Sequence, residues 1–205
     1  MKPAVEEALA AYTGEEIVLG VLSASIDTPV QNGWIAAMEV ELAKDCYAGK
    51  VSPTLDKKYG NDDLTESTTQ ANAFVAENKV DCIISPTTVG IAAAGQVLKN
   101  SNSEIMLTGL GLPSEMKEYI GDDDAHSCPY MYLWNPIDVG RLGAHISMAL
   151  VEGTITGAAG ETFEAAGLEA SPYTIVEAAD GGTEVILGPP FKFDPSNIEE
   201  WASVY

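Results

Sequence analysis

Short apolar runs alternate along this chain with longer stretches whose apolar residues return every three or four positions. Residues 17–24 (IVLGVLSA), 80–85, 104–108 and 130–134 (YMYLW) are compact and apolar, and they predict strands. A weaker strand is predicted over 51–59. Between these runs lie helical patterns. Residues 31–46 carry Trp34, Ile35, Met38, Val40 and Leu42 at near-helical spacing. Residues 62–78 carry Leu64, Thr68, Ala71, Phe74 and Val75. Helices are also predicted over 89–98, over 113–120 with Pro113 suited to a first turn, and over 136–151. In the last of these Val139, Leu142, Ile146, Ala149 and Leu150 are spaced for one buried face. Strand and helix alternate five times. Apolar strands without polar alternation mark a sheet buried on both faces, so the expected fold is α/β with a doubly wound parallel sheet.

After Gly153 the rhythm changes. Residues 154–170 are rich in Gly, Ala and Thr and poorly periodic. Apolar runs at 173–177 and 183–187 flank Asp180-Gly181-Gly182, which predicts a hairpin. A short extended piece at 191–193 follows, then a last helical turn over 198–203 led by Asp194-Pro195-Ser196-Asn197. The apolar fraction of 46% in 205 residues allows a sizeable core. Ten basic against 31 acidic residues leave a formal charge of −21, which repels phosphate backbones and excludes nucleic acid as a partner. No stretch reaches the roughly 18 apolar residues of a membrane span. The first residues, MKPAVEEALAAYTGEE, lack an export pattern and read as a short helix. Cys46, Cys82 and Cys128 are odd in number and form no CxxC, so neither zinc nor a disulfide framework is indicated.

The candidate chemistry lies in loops that follow strands, since ligands of open parallel sheets bind beyond the strands' carboxyl ends. Those loops hold Asp27, Thr28, Gln31, Asn32, Thr87, Thr88, Ser114, Asn135 and Asp138, with Trp34 and Trp134 at their flanks. Amides, hydroxyls, carboxylates and indoles are the groups that recognise a sugar. The stretch DCIISPTTVGIAAAGQ, residues 81–96, is the sharpest case. Pro86 sets a turn, Thr87 and Thr88 offer hydroxyls, and the small residues behind them admit close approach of a ligand to the helix mouth. A plainer reading stands beside it: Thr87-Thr88 and Gln31-Asn32 cap their helices, and Trp34 is core. Catalytic signatures are weak. His126 beside Asp122-Asp123-Asp124 fits a solvated turn better than a metal site, and GxGxxG, GxxxxGK[ST] and GxSxG are all missing.

ISPTTVGIAAAGQVL, TGLGLPSEMKEYI, YLWNPIDVGRLGAHISMAL and GPPFKFDPSNIEEW, in that order, resemble the solute-binding proteins of rhamnose-type ABC sugar importers. That group is close to the autoinducer-2 binders within the ribose-binding-like periplasmic class. The resemblance implies a type I periplasmic-binding-protein lobe, no enzymatic activity, no cofactor, and delivery of a sugar to a membrane permease. It implies ligand contacts from Gln31 and Asn32, from the turn Pro86-Thr87-Thr88, and from Asn135 and Asp138 at the hinge. Where autoinducer-2 binders carry Asp before that Gln, this chain has Val30. Where they carry Pro-Asp-Ala, it has Pro86-Thr87-Thr88. Both departures favour a 6-deoxyhexose such as rhamnose over autoinducer-2.

Family members are longer at the N-terminus, which implies a truncated chain. Residues 1–134 would form the ligand-binding lobe, 135–153 a helix that normally packs on the absent lobe, and 154–205 a segment returning to the first lobe. The resemblance then implies an exposed apolar face on that helix, weakened sugar binding, and a periplasmic or lipid-anchored extracellular location. The alternatives are a sugar-sensing effector domain of a regulator, which the lack of a helix-turn-helix disfavours, and an enzyme resting on Asp27 and Asp138.

Overall fold

A computed structural model describes residues 12–204. The expected N-terminal helix lies mainly outside the described residues, and residues 12–16 are not helical. The chain divides into two compact units, Met1–Leu133 with Lys192–Tyr205, and Trp134–Phe191.

In the first unit β1 (Leu19–Ser23), β2 (Asp56–Tyr59), β3 (Cys82–Ser85) and β4 (Met106–Gly109) form a parallel sheet in the order β2-β1-β3-β4. β5 (Met131–Leu133) extends the series through a parallel bridge from Leu110 to Tyr132. The crossovers are α1 (Pro29–Leu42), α2 (Leu64–Glu77), α3 (Thr88–Ser101) and the single turn α4 (Pro113–Met116). The chain moves one way from β1 to β2, then returns past β1 to β3 and β4. With right-handed crossovers, α1 therefore lies on one face of the sheet and α2 and α3 on the other.

The apolar clusters follow that division. Val21, Ile35, Leu42, Val51 and Leu55 pack on the α1 face. Leu22, Phe74, Ile83, Ile91, Leu98 and Leu107 belong to the larger cluster on the opposite face.

Several boundaries differ from the sequence expectation for physical reasons. α1 starts at Pro29, not residue 31, because Pro29 takes the first helical position, where its missing N–H is no loss. α4 ends at Met116, not residue 120, because the chain turns so that Ile120 can bridge to Cys128. The strand expected over 51–59 shrinks to β2, with Val51 held apart in a bridge to Ile17.

In the second unit α5 (Pro136–Val151) has the predicted bounds. Only part of its expected buried face is buried. Leu142 and Ala149 join Ile155, Phe163, Tyr173 and Ile175 in a separate core, whereas Ile137, Val139, Met148, Leu150 and Val151 are exposed. β6 (Thr162–Phe163) pairs antiparallel with β7 (Tyr173–Thr174), and β8 (Val176–Glu177) with β9 (Thr183–Glu184). The predicted hairpin is thus β8–β9, closed by the Ala178 N–H to the Gly182 carbonyl at 2.9 Å.

The chain then returns to the first unit through β10 (Phe191–Phe193), which pairs with β5, and α6 (Ile198–Trp201). Phe193 is fully buried in the larger cluster, its ring edge-on to Trp201 at 5.9 Å. Burying such a side chain contributes about 2–3 kcal/mol, which anchors the returning segment.

Candidate binding rim at the carboxyl edge of the first unit

The order β2-β1-β3-β4 reverses direction between β1 and β3. The chain leaves both strands at the same edge, and α1 and α3 begin there with their N-termini side by side at the switch point. Sequence-predicted residues from separate parts of the chain, Gln31, Asn32, Pro86, Thr87 and Thr88, gather at this edge.

Gln31 occupies the first turn of α1, one turn before Ile35, whose side chain packs with Val21 of β1. Gln31 is therefore directed toward the end of β1. Its Oε1 is buried and has no hydrogen-bond partner. Ser23, two residues beyond Val21 on the same face, carries a second buried oxygen without a partner. An unsatisfied buried polar atom costs about 1–3 kcal/mol, and the Ser67 hydroxyl is a third such atom among the described residues. Asn32 is engaged, its Nδ2 donating to the Ile26 carbonyl at 2.8 Å, which shapes the loop after β1. Trp34 is half-buried and belongs to none of the apolar clusters.

Both helices at the switch point begin with threonine. Thr28 and Thr87 have extended N-cap backbones, and neither side chain makes a capping bond. The Thr28 hydroxyl oxygen accepts from the Ser25 N–H at 3.2 Å and shares a hydrogen bond with the Ser25 hydroxyl at 2.9 Å. The Thr87 hydroxyl donates to Asp62 Oδ1 at 2.5 Å. The plainer reading of Thr87 is thus half right: it is the N-cap residue, but its hydroxyl does not cap. Pro86 is buried and supplies the turn, while Thr88 is the first helical residue and half-buried.

The row of small residues after Thr88 does not serve ligand approach as the sequence suggested. It lets α3 pack closely on its neighbours. A Cβ on Gly90 would lie 2.5 Å from Ser85 Oγ and 3.2 Å from the Leu22 carbonyl oxygen, and one on Gly95 would lie 2.8 Å from the Tyr119 ring. Ala93 and Ala94 are fully buried. Gly109, at the end of β4, has φ +149°, and a Cβ there would lie 2.0 Å from the Ser85 carbonyl oxygen. Only glycine fits there.

Asn135 and Asp138 begin the second unit and satisfy each other. Asn135 Oδ1 accepts from the N–H groups of Ile137 at 2.9 Å and Asp138 at 3.4 Å, and its Nδ2 donates to Asp138 Oδ2 at 2.9 Å. Arg141 Nη1 donates to Asp138 Oδ1 at 3.2 Å. Sequence reasoning missed Asp62 and Ser23. Two adjacent aspartates before α2 were a signal, since one side chain suffices to cap a helix. Asp63 does cap it, accepting from the Glu66 N–H at 2.8 Å, and Asp62 is spare.

Two cavities lie elsewhere. One of about 710 Å³ borders the C-terminal end of α3 and Asp122, Asp123 and Asp124. His126 there shares a hydrogen bond with Asp123 at 2.7 Å, which holds that carboxyl below its usual range. Another of about 480 Å³ lies within the second unit near His145. Among the described residues no three His, Cys, Asp or Glu side chains group as metal ligands. Burial pushes the thiols of Cys82 and Cys128 up to about 12.

Residues 4–155 match the periplasmic binding protein domain, and the chain belongs to that family, a class of non-enzymatic solute binders. Among solved structures, an ABC transporter solute-binding protein from Clostridium phytofermentas with bound L-rhamnose is 46% identical, with a TM-score of 0.83 over 99% of this chain and 64% of that one. A sugar ABC transporter protein from Actinomyces odontolyticus is 31% identical, with a TM-score of 0.75 over 97% of this chain and 62% of that one. The LsrB protein of Clostridium saccharobutylicum in complex with AI-2 is 17% identical, with a TM-score of 0.74 over 98% of this chain and 64% of that one, and shares the fold. No curated protein matches. The chain therefore spans just under two thirds of the length of these solved relatives.

Proposed function

We propose that the rim at the switch point binds a neutral sugar, a rhamnose-like 6-deoxyhexose, for delivery to an ABC permease. The observation that carries this reading is the buried, unpartnered Oε1 of Gln31 between the open starts of α1 and α3. An acceptor of that kind fits a sugar hydroxyl. The N–H groups of the first turns of α1 and α3 fit sugar oxygens, since helix N-termini favour electron-rich atoms.

Charge narrows the ligand further. The loops after β1, β2 and β3 hold Asp27, Asp62 and Asp63 and no Lys or Arg, which fits a neutral polyol and disfavours sugar phosphates and sugar acids. Ile26 and Val30 are exposed beside the polar groups, a surface suited to the methyl of a deoxy sugar. The 46%-identical relative with bound L-rhamnose supports the same ligand class. The aspartate that autoinducer-2 binders carry is Val30 here, which favours rhamnose.

In this reading Asn135 and Asp138 serve at the hinge. The exposed Ile137, Val139, Met148, Leu150 and Val151 of α5 are a packing surface within a full-length two-lobed binder. Such a protein works outside the cytoplasmic membrane, and no described helix is long and apolar enough to cross one.

Calorimetric titration tests the proposal. L-Rhamnose is expected to bind saturably, L-rhamnose 1-phosphate not to bind, and Gln31→Ala to weaken L-rhamnose about tenfold or more by removing a buried acceptor. Equal binding of L-rhamnose by native protein and Gln31→Ala would contradict the assignment.

A further inference from the structure

We propose that Asp62 is a positioning residue of this site: it holds the Thr87 hydroxyl away from α3 and so keeps the first-turn N–H groups of α3 open to the sugar. The inference rests on the reading of the rim as a sugar site and adds a residue that touches no ligand.

Thr87 has the backbone of an N-cap, with φ −144° and ψ 139°. From that position a threonine oxygen ordinarily accepts from the N–H two or three residues on, here Val89 or Gly90. Instead the hydroxyl donates to Asp62 Oδ1 at 2.5 Å, the length of a charge-assisted bond. The methyl of Thr87 sits over Gly90, 2.9 Å from where a Cβ would be. Carboxylate on one side and glycine on the other fix the rotamer.

Asp62 is itself well placed to impose this. It has φ 50° and follows Asn61 at φ 53°, a left-handed pair that turns the chain back after β2. The turn is tied to the end of β1, where the Gly60 N–H donates to the Ser23 carbonyl at 2.9 Å and the Asn61 N–H to the Ala24 carbonyl at 2.6 Å. The Asp63 N–H donates to the Gly60 carbonyl at 2.9 Å and closes the turn. The carboxylate is thus referenced to β1 and reaches α3 across 25 residues of sequence. Its neighbour Asp63 does the ordinary work of capping α2. The adjacent pair therefore divides its labour, one carboxylate serving its own helix and the other the helix across the switch point.

The test uses the full chain and four variants: Asp62→Ala, Asp62→Asn, Thr87→Val and the double variant Asp62→Ala/Thr87→Val. In L-rhamnose titrations, Asp62→Ala should weaken binding about tenfold, and Thr87→Val, which removes the hydroxyl that could cap α3, should weaken it less. The double variant should bind more tightly than Asp62→Ala and about as Thr87→Val does, because valine cannot cap the helix. Asp62→Asn, which keeps an acceptor, should stay within about threefold of native. Melting temperatures of all four should stay within about 3 °C of native, because the carboxylate is solvent-accessible. In the sugar-free protein, amide hydrogen exchange at Val89 and Gly90 should slow in Asp62→Ala, as the released Thr87 hydroxyl turns to cap the helix.

Native-like binding by Asp62→Ala, or a double variant that binds no more tightly than Asp62→Ala, would overturn the proposal and leave the sugar site standing. A native chain that binds no L-rhamnose would remove the sugar site instead. Exchange at Val89 and Gly90 would then judge the hold on Thr87 alone, and unchanged exchange in Asp62→Ala would refute it.

Discussion

Among the described residues, four long helices begin in two different ways. α2 and α5 start with side chains that turn back onto their own first turns, Asp63 onto the Glu66 N–H and Asn135 onto Ile137 and Asp138. α1 and α3 start with threonines whose hydroxyls are committed elsewhere, to Ser25 and to Asp62. Helices of similar length in one chain can thus be closed or open at the N-terminus, and the open pair flanks the switch point. Propensity does not explain the difference, since Thr is a serviceable cap. In the proposed reading the carboxyl edge between β1 and β3 leaves those donors for a ligand, whereas the other two starts are finished internally.

The comparison can be broken most forcefully at Gly90. Gly90→Ala drives a Cβ against Ser85 Oγ, the Thr87 methyl and the Leu22 carbonyl. It should destabilise the protein by about 2 kcal/mol, read as a lower urea midpoint, and weaken sugar binding by displacing Thr87. Gly143→Ala on α5, where a Cβ meets no atom within 4 Å, should instead stabilise by up to about 1 kcal/mol through helix propensity. The closed starts come next. Asp63→Ala and Asn135→Ala should each cost about 1 kcal/mol. Thr87→Val should cost about half of that or less, because water replaces its bond to the accessible Asp62 carboxylate.

A smaller effect sharpens the comparison from inside the molecule. Glu161 does to free amides what a ligand would do at α3. Its Oε2 accepts from the N–H groups of Thr156 at 2.8 Å, Gly157 at 2.9 Å and Ala158 at 3.1 Å, and Oε1 from the Thr156 hydroxyl at 2.9 Å. These bonds, led by the Thr156 amide, hold the carboxyl below its ordinary value of 4.5. A depressed carboxyl stabilises fully above its unfolded pKa and loses that contribution as pH falls through the folded value. Stability between pH 7 and pH 5 should therefore be flat in this respect and should drop below about pH 4. Glu161→Gln should show a shallower acid drop in thermal melts at pH 3 to 5. An identical acid profile in the variant would mean that the amides do not recognise the charge.

Much of the fold could be read from the residues. The five alternations of strand and helix are present, and α5 matches its pattern at both ends because Asn135-Pro136 starts it and Gly153 follows its end. The hairpin is where Asp180-Gly181-Gly182 put it, although Tyr173–Thr174 turned out to pair with Thr162–Phe163, a partner chosen by the core around Phe163. Sequence placed Gln31, Thr87 and Thr88 in loops after strands, and the strand order then gathered them at one edge. It misjudged the small residues behind Thr88, whose role is to fit α3 against Ser85, Leu22 and Tyr119, because a helix–sheet contact distance leaves no local mark. It missed the bond from Thr87 to Asp62 for the same reason. Asp62 reads locally as a helix-start acid, and only the path of the chain over β1 brings it to α3.

Backbone amide shifts followed by NMR during an L-rhamnose titration test the central claim most directly. The account predicts saturable shifts concentrated at Gln31, Asn32, Thr88, Val89 and Gly90, with little change at Leu64–Glu66 behind the Asp63 cap. Shifts confined to the cavity beside Asp122–Asp124, or no shifts at the starts of α1 and α3, would contradict it.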